Sequence, residues 1–257
     1  MPYRILTPSA PDPQFAGRHA LAVMAKAPRP GKVKTRLSPP LTPAQTAALN
    51  ICFLKDTTEN IAAVVHRATG LVCYTPVGDE AAFEGILPDT FALIPQRGDA
   101  FGERLLAAAQ DILACGFASV CLIDSDSPTV PHAAFQQAVD ELAKPGDRIV
   151  LGPSHDGGYY LIGLKQPHAE PFARISWSTA AVADETRQRC REASLELIEL
   201  PLWYDVDDAT TLDLLNAELL QTTHPPFAAT PGYPAPHTRE FLLELDTPSD
   251  LVAQTPG

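Results

Sequence analysis

Seven short apolar runs, separated by stretches with helical patterning or by turn residues, constrain the fold of this chain more than any other feature. They lie at residues 19–25, 71–75, 91–95, 119–123, 148–151, 159–164 and 195–200. Runs of this length suit strands buried on both faces. Strands spaced by helices must be mostly parallel, because a parallel partner needs a long crossover. Thr42-Pro43 opens a helix expected to reach about Arg67, with Thr as N-cap and Pro at the first helical position. Further helices are expected over 101–114 (closed by Gly116), 131–143, 180–193 and 208–220, with a weak one near 79–86. The expected fold class is therefore α/β: a three-layer α/β/α domain around a mostly parallel central sheet. It is expected to fill residues 19–221, between an N-terminal extension (1–18) and a Pro-rich C-terminal extension (222–257) with one helical candidate at 237–245. Ligands of such sheets bind beyond the carboxyl ends of the strands, so the residues just after each run carry most of the information.

Charge is the next constraint. The chain has 31 acidic and 19 basic residues, a net charge of −12, and an acidic surface argues against nucleic-acid or anionic-membrane partners. A 45% hydrophobic content excludes general disorder. No apolar run approaches the ~20 residues of a membrane span, and the first residues lack the apolar core of a secretory signal, so the cytoplasm is the expected compartment. Five cysteines, an odd number without a Cys-x-x-Cys pair, point to neither a disulfide framework nor a structural zinc site. Against this acidic background, Pro13 to Lys55 contains no Asp or Glu, and Lys26, Arg29, Lys32, Lys34 and Arg36 fall within eleven residues. A concentrated positive loop after the first apolar run suggests a pocket for a small polyanion.

Four clusters carry candidate chemistry. In the first, Lys26-Ala-Pro-Arg-Pro-Gly-Lys-Val-Lys-Thr-Arg36, Gly31 permits close backbone approach while Lys34 and Arg36 supply cationic donors for phosphate. The spacing matches neither a Walker A loop nor a dinucleotide fingerprint. In the second, Asp124 and Asp126 leave the end of a strand two residues apart, an arrangement that suits a divalent cation and equally an Asx turn or helix cap. In the third, His155-Asp-Gly-Gly-Tyr-Tyr160, Gly157 and Gly158 form a tight turn or make room for a ligand, with Asp156 as a base or acceptor contact. In the fourth, Trp203-Tyr-Asp-Val-Asp-Asp208, either Asp205 or Asp207 caps the following helix, or one of them returns to the cation held by Asp126. Trp177-Ser-Thr179 precedes another helix, with Ser178 or Thr179 a candidate cap and Trp177 a candidate pocket wall.

Together these segments resemble the nucleotide-diphospho-sugar transferase superfamily, the GT-A fold. More narrowly they resemble a bacterial glycosyltransferase branch associated with radical-SAM and arsenosugar pathways. The resemblance spans about residues 20–220 and rests on Met24-Ala-Lys-Ala-Pro-Arg-Pro-Gly-Lys-Val-Lys-Thr-Arg-Leu37, Phe101-Gly-Glu-Arg104, Ser125-Asp-Ser-Pro128, Asp156-Gly-Gly-Tyr-Tyr-Leu-Ile-Gly-Leu164, Trp177-Ser-Thr179 and Trp203-Tyr-Asp-Val-Asp207. It implies a nucleotide pocket with Lys26, Gly31, Lys34, Thr35, Arg36 and Arg104 at the nucleotide and its phosphates. Asp126 and Asp207 would lie at Mg²⁺ or Mn²⁺, with Asp124 either an added ligand or an idiosyncratic loop residue. Gly157, Gly158, Tyr159, Trp177 and Ser178 would contact substrate, and Asp156 would be the catalytic residue that orients or deprotonates the acceptor. Two departures stand out. The branch typically has Gly where this chain has Asp124, and its usual Asp-Thr-Pro-Glu-Asp-Leu matches the tail segment Asp246-Thr-Pro-Ser-Asp-Leu251 better than the segment at Asp207.

The resemblance implies a metal-dependent transferase. Glycosyl transfer from a nucleotide sugar to a small-molecule acceptor is the leading expectation, and nucleotidyl transfer from a nucleoside triphosphate with release of pyrophosphate is the alternative. A non-catalytic nucleotide binder on the same fold is a third reading, disfavoured because the carboxylates are present.

Overall fold

The computed structural model describes residues 3–9, 11–64 and 67–246, with Asp246 described by its backbone alone. Eight strands form one sheet in the order β1-β4-β3-β2-β5-β7-β6-β8. These are β1 (Arg4–Ile5), β2 (His19–Lys26), β3 (Ala68–Thr75), β4 (Ala92–Pro95), β5 (Ser119–Ile123), β6 (Ile149–Pro153), β7 (Tyr159–Leu164) and β8 (Leu197–Glu199). All pairings are parallel except those of β7, which runs antiparallel to both β5 and β6. The six α-helices are α1 (Pro43–Ala62), α2 (Phe101–Ala114), α3 (His132–Ala143), α4 (Val182–Glu192), α5 (Ala209–Gln221) and α6 (Pro236–Asp246). The α/β, three-layer, mostly parallel expectation is met. Among the described residues no helix is long and apolar enough to cross a membrane.

The layers follow from strand alternation. On β2, Leu21, Val23 and Ala25 point to one core, where Leu49 and Phe53 of α1, Phe135 of α3, Leu215 of α5 and Leu242 of α6 pack. Ala20 and Ala22 point to the other, against Leu105 and Ile112 of α2 and Cys190 of α4. Among the five free cysteines, Cys73, Cys115, Cys121 and Cys190 are buried.

Local chemistry sets the boundaries. Gln45 N donates to Thr42 Oγ1 (3.3 Å) and Thr42 N to Gln45 Oε1 (2.9 Å), a capping box that starts α1 as expected. The helix stops at Ala62, short of Arg67, and β3 begins at Ala68, where it pairs with His19 of β2. The weak helix near 79–86 is only a 3₁₀ turn, Glu80–Phe83. The first 18 residues hold an unforeseen edge strand: β1 pairs with β4, and its two exposed residues carry no apolar pattern to betray it. Beyond residue 221, α6 is tied to α1 by the buried carboxylate of Asp56, which accepts from His237 N (3.0 Å), Thr238 N (2.8 Å) and Thr238 Oγ1 (2.6 Å).

Candidate active site

Chain order makes β2 and β5 neighbours: the chain steps outward from β2 through β3 to β4, then returns to start the other half of the sheet. Beyond the carboxyl ends at this switch lie two adjoining clefts of about 440 and 330 Å³, which share Met24, Arg36, Phe101, Asp126 and Asp207 as walls.

The smaller cleft is basic. Lys26, Lys32, Lys34, Thr35 and Arg36 line it from the loop after β2, and Arg104 lines it from the first turn of α2. Arg104 is held by Nη1 donating to Asp99 O (2.9 Å). Thr75, Gln96 and Asn50 complete its floor. Asn50 is buried on α1, and its Oδ1 has no hydrogen-bond partner among the described residues. Gly31 lines neither cleft. It sits at the loop tip with φ +71° and open space where a side chain would project.

The larger cleft is aromatic on one side and acidic on the other. Trp177 packs edge-on to both Phe101 (centroids 5.0 Å apart) and Tyr159 (6.4 Å). Ser178 and Gly158 lie on the rim with Asp156. Asp124, Asp126, Asp205 and Asp207 face them. The turn between β6 and β7 presents Asp156, whose Oδ1 accepts from Gly158 N (2.8 Å). Gly157 does not make room for a ligand. At φ +92°, a Cβ there would lie 2.1 Å from Ala180 O, so the missing side chain admits the backbone ahead of α4. Asp124 forms the Asx turn that the sequence allowed: it accepts from Asp126 N (3.3 Å) and Ser127 Oγ (2.7 Å).

Buried aromatics bring the fourth cluster here. Trp203 is inside the core, with Nε1 donating to Thr129 Oγ1 (3.1 Å), and it bridges Ser154 at the end of β6. Val206 N then donates to Asp126 O (2.9 Å), which sets Asp205 and Asp207 beside the loop after β5. Neither Asp205 nor Asp207 caps α5. Asp208 does, accepting from Thr211 N (2.9 Å). Ser178 is no cap either; Thr179 Oγ1 accepts from Ala181 N (3.3 Å) ahead of α4. The tail segment 247–251 lies outside the described residues, as does the Asp246 side chain.

Lys34 occupies the centre of the acidic group. Its ammonium lies 2.7 Å from Asp126 Oδ1 and 3.0 Å from Asp207 Oδ1, donates to Val206 O (2.6 Å), and is 4% exposed. Burial alone would lower its pKa, but the two carboxylates outweigh burial and hold it above the ordinary lysine range. Arg36 stands farther off, 3.8 Å from Asp207 Oδ2, and is largely exposed. Asp124 is raised well above the carboxylate range by burial and then by the charge of Asp126, against the Ser127 hydrogen bond. Asp205 is pushed up to about 6 by burial and then by Asp156, although it accepts from Ser154 Oγ (2.8 Å). Asp124 and Asp205 are therefore under-neutralised, and all four side chains carry hard oxygen donors of the kind Mg²⁺ and Mn²⁺ prefer. Even so, among the described residues no three His, Cys, Asp or Glu side chains converge into a ready-made metal site.

Comparison with known proteins bears on the fold and the family. The DUF2064 family model, described as "Uncharacterized protein conserved in bacteria", matches residues 60–179. No curated protein matches the sequence significantly. Among solved structures, CMP:2-keto-3-deoxy-manno-octonic acid synthetase complexed with CTP superposes with TM-score 0.53 at 11% identity, over 80% of this chain and 100% of that one. The 4-diphosphocytidyl-2C-methyl-D-erythritol synthase of Anaerococcus prevotii DSM 20548 gives 0.51 at 10%, over 81% and 99%. At those identities the likeness establishes the fold alone. A protein of Desulfovibrio desulfuricans G20, assigned as a nucleotide-diphospho-sugar transferase, gives 0.75 at 30% identity over 90% of this chain and 96% of that one. With nearly the whole of that relative matched, the chain belongs to the nucleotide-diphospho-sugar transferase family, a family of nucleotide-utilising transferases.

Proposed function

We propose that the protein transfers a glycosyl group from a nucleotide-diphospho-sugar to a small-molecule acceptor. The observation that carries this reading is the pair of adjoining clefts: a basic one suited to a diphosphate, and a sugar-sized one with an aromatic wall opposite carboxylates. Trp177, Tyr159 and Phe101 offer apolar faces to a pyranose ring, and Asp156 and Asp205 accept from its hydroxyls. Lys26, Lys34, Thr35, Arg36 and Arg104 bind the nucleotide diphosphate. The acceptor oxygen attacks the anomeric carbon, the bond from that carbon to the diphosphate oxygen breaks, and nucleoside diphosphate leaves with the electron pair. The acceptor proton passes to Asp156.

Asp126 and Asp207, with Asp124 and Asp205 behind them, are the residues that would hold Mg²⁺ or Mn²⁺. When bound, the ion supplies charge neutralisation at the departing diphosphate. The five cations lining the basic cleft favour a second reading, nucleotidyl transfer, in which a triphosphate donor releases pyrophosphate. One assay separates the two. A panel of nucleotide sugars and of nucleoside triphosphates is incubated with Mn²⁺ and each candidate acceptor pool. Nucleoside diphosphate from a sugar donor supports glycosyl transfer, and pyrophosphate from a triphosphate replaces it with nucleotidyl transfer. If both donor classes neither bind nor turn over, both readings are lost.

A further inference from the structure

Lys34 reaches its partners across the fold. Its backbone takes the left-handed conformation (φ 48°, ψ 40°), uncommon for a side-chain-bearing residue. The ammonium passes 5.5 Å from the Phe53 ring centroid on α1 before meeting Asp126 and Asp207. It is thus the cation seated on two of the carboxylates that the proposed function gives to a divalent ion. The same side chain lines the basic cleft, so phosphate oxygens bound there lie within its sweep. A buried ammonium does not leave its partners without another anion, because the uncompensated charge is strongly unfavourable. A divalent ion alone offers no such anion, and it repels the ammonium. A bound diphosphate offers both an anion for Lys34 and oxygens for the ion.

We propose that Lys34 is the resident cation of the Asp126–Asp207 seat, and that a divalent ion reaches these carboxylates only when donor phosphates draw the ammonium away. The inference rests on the metal reading given above. It makes metal and nucleotide binding mutually dependent, with equal coupling in both directions. The carboxylates of the free enzyme would therefore hold Lys34 and no divalent ion until donor phosphates are in place.

Proton relaxation enhancement by Mn²⁺ tests this, because the signal rises only when the ion joins a slowly tumbling protein. The full chain is titrated with Mn²⁺ alone and with Mn²⁺ plus inorganic pyrophosphate, as wild type and as Lys34→Gln. Circular dichroism verifies that the variant is folded. A unit positive charge about 4 Å from a divalent ion weakens its binding roughly 30-fold even at the dielectric constant of water. Lys34→Gln without pyrophosphate is therefore expected to bind Mn²⁺ at least that much more tightly than wild type, and pyrophosphate should restore tight binding to wild type. Equal Mn²⁺ affinity of the two proteins without pyrophosphate overturns the inference and leaves the metal reading standing. No enhancement in either protein, with or without pyrophosphate, overturns the metal reading and the inference with it. Should the variant not fold, the wild-type titration decides: micromolar Mn²⁺ binding without pyrophosphate overturns the inference.

Discussion

Replacing Asp205 by Asn should stabilise the protein at neutral pH and not in acid. Burial and the neighbouring charge of Asp156 push the folded-state pKa to about 6, against 3.8 for a free side chain. A raised carboxyl means the folded state holds its proton more firmly than the unfolded chain does. Stability then falls as pH rises from about 4 through 6, and above that the whole penalty is present. The gap of about two pH units is worth about 3 kcal/mol, an upper bound, because Asp205 keeps some contact with water. Asn retains an oxygen for the Ser154 hydroxyl and carries no charge. For a chain of 257 residues, 3 kcal/mol corresponds to a rise in Tm on the order of 6 °C. The assay is thermal denaturation of both proteins in chelator from pH 4 to pH 8. The variant should match wild type at pH 4 and exceed it progressively up to about pH 7. Parallel stability profiles across that range would falsify the account of Asp205 as a strained, under-neutralised carboxylate.

Four further outcomes follow from the geometry. Gly157→Ala places a Cβ 2.1 Å from a backbone oxygen at φ +92°, so it should cost at least about 2 kcal/mol in urea denaturation. Gly31→Ala, strained at φ +71° but open, should cost about 1 kcal/mol. Asp56→Ala removes three hydrogen bonds to the start of α6 and should cost about 2–4 kcal/mol, with hydrogen exchange accelerating in residues 236–246; unchanged protection there would mean that α6 is held by packing alone. Trp177→Ala should weaken a nucleotide sugar about tenfold in calorimetry and leave the matching nucleoside diphosphate unaffected, and equal losses for both would remove Trp177 from the sugar cleft.

What the sequence disclosed was local. The apolar runs, the Thr42 cap and the loops after β2 and β5 are written in consecutive residues, and the structure places them as read. What it withheld depends on distant pairing. Lys34 is 172 residues from Val206, and no spacing rule announces that its ammonium sits where a cation was expected. Gly157 reads as a ligand-facing glycine until Ala180 is brought against it by the start of α4. Asn50 lies in the middle of α1 and looks like any polar helix residue; only its unpaired oxygen under the basic cleft marks it. The sequence offered Asp205 or Asp207 as the cap of α5, but Asp208, a capper of the same kind one residue on, takes that place.

The position of the site follows from how charge is distributed along the chain and how the sheet is wound. The stretch free of Asp and Glu leads from β2 into α1, and it supplies every cation of the basic cleft except Arg104. The acidic residues of the site come from the other half of the sheet, after β5, between β6 and β7, and ahead of α5. Because β2 and β5 are neighbours, the two sets meet at a single seam, and Lys34 is the cation that crosses it. Under the proposed function, a donor whose diphosphate faces the cations and whose sugar faces the carboxylates would span that seam in one orientation only. Reversal would set phosphate against Asp205 and Asp156, like charge against like, in a cleft that already holds carboxylates at raised pKa. On that reading electrostatics would fix the donor's orientation before any contact to the base or to the acceptor is made.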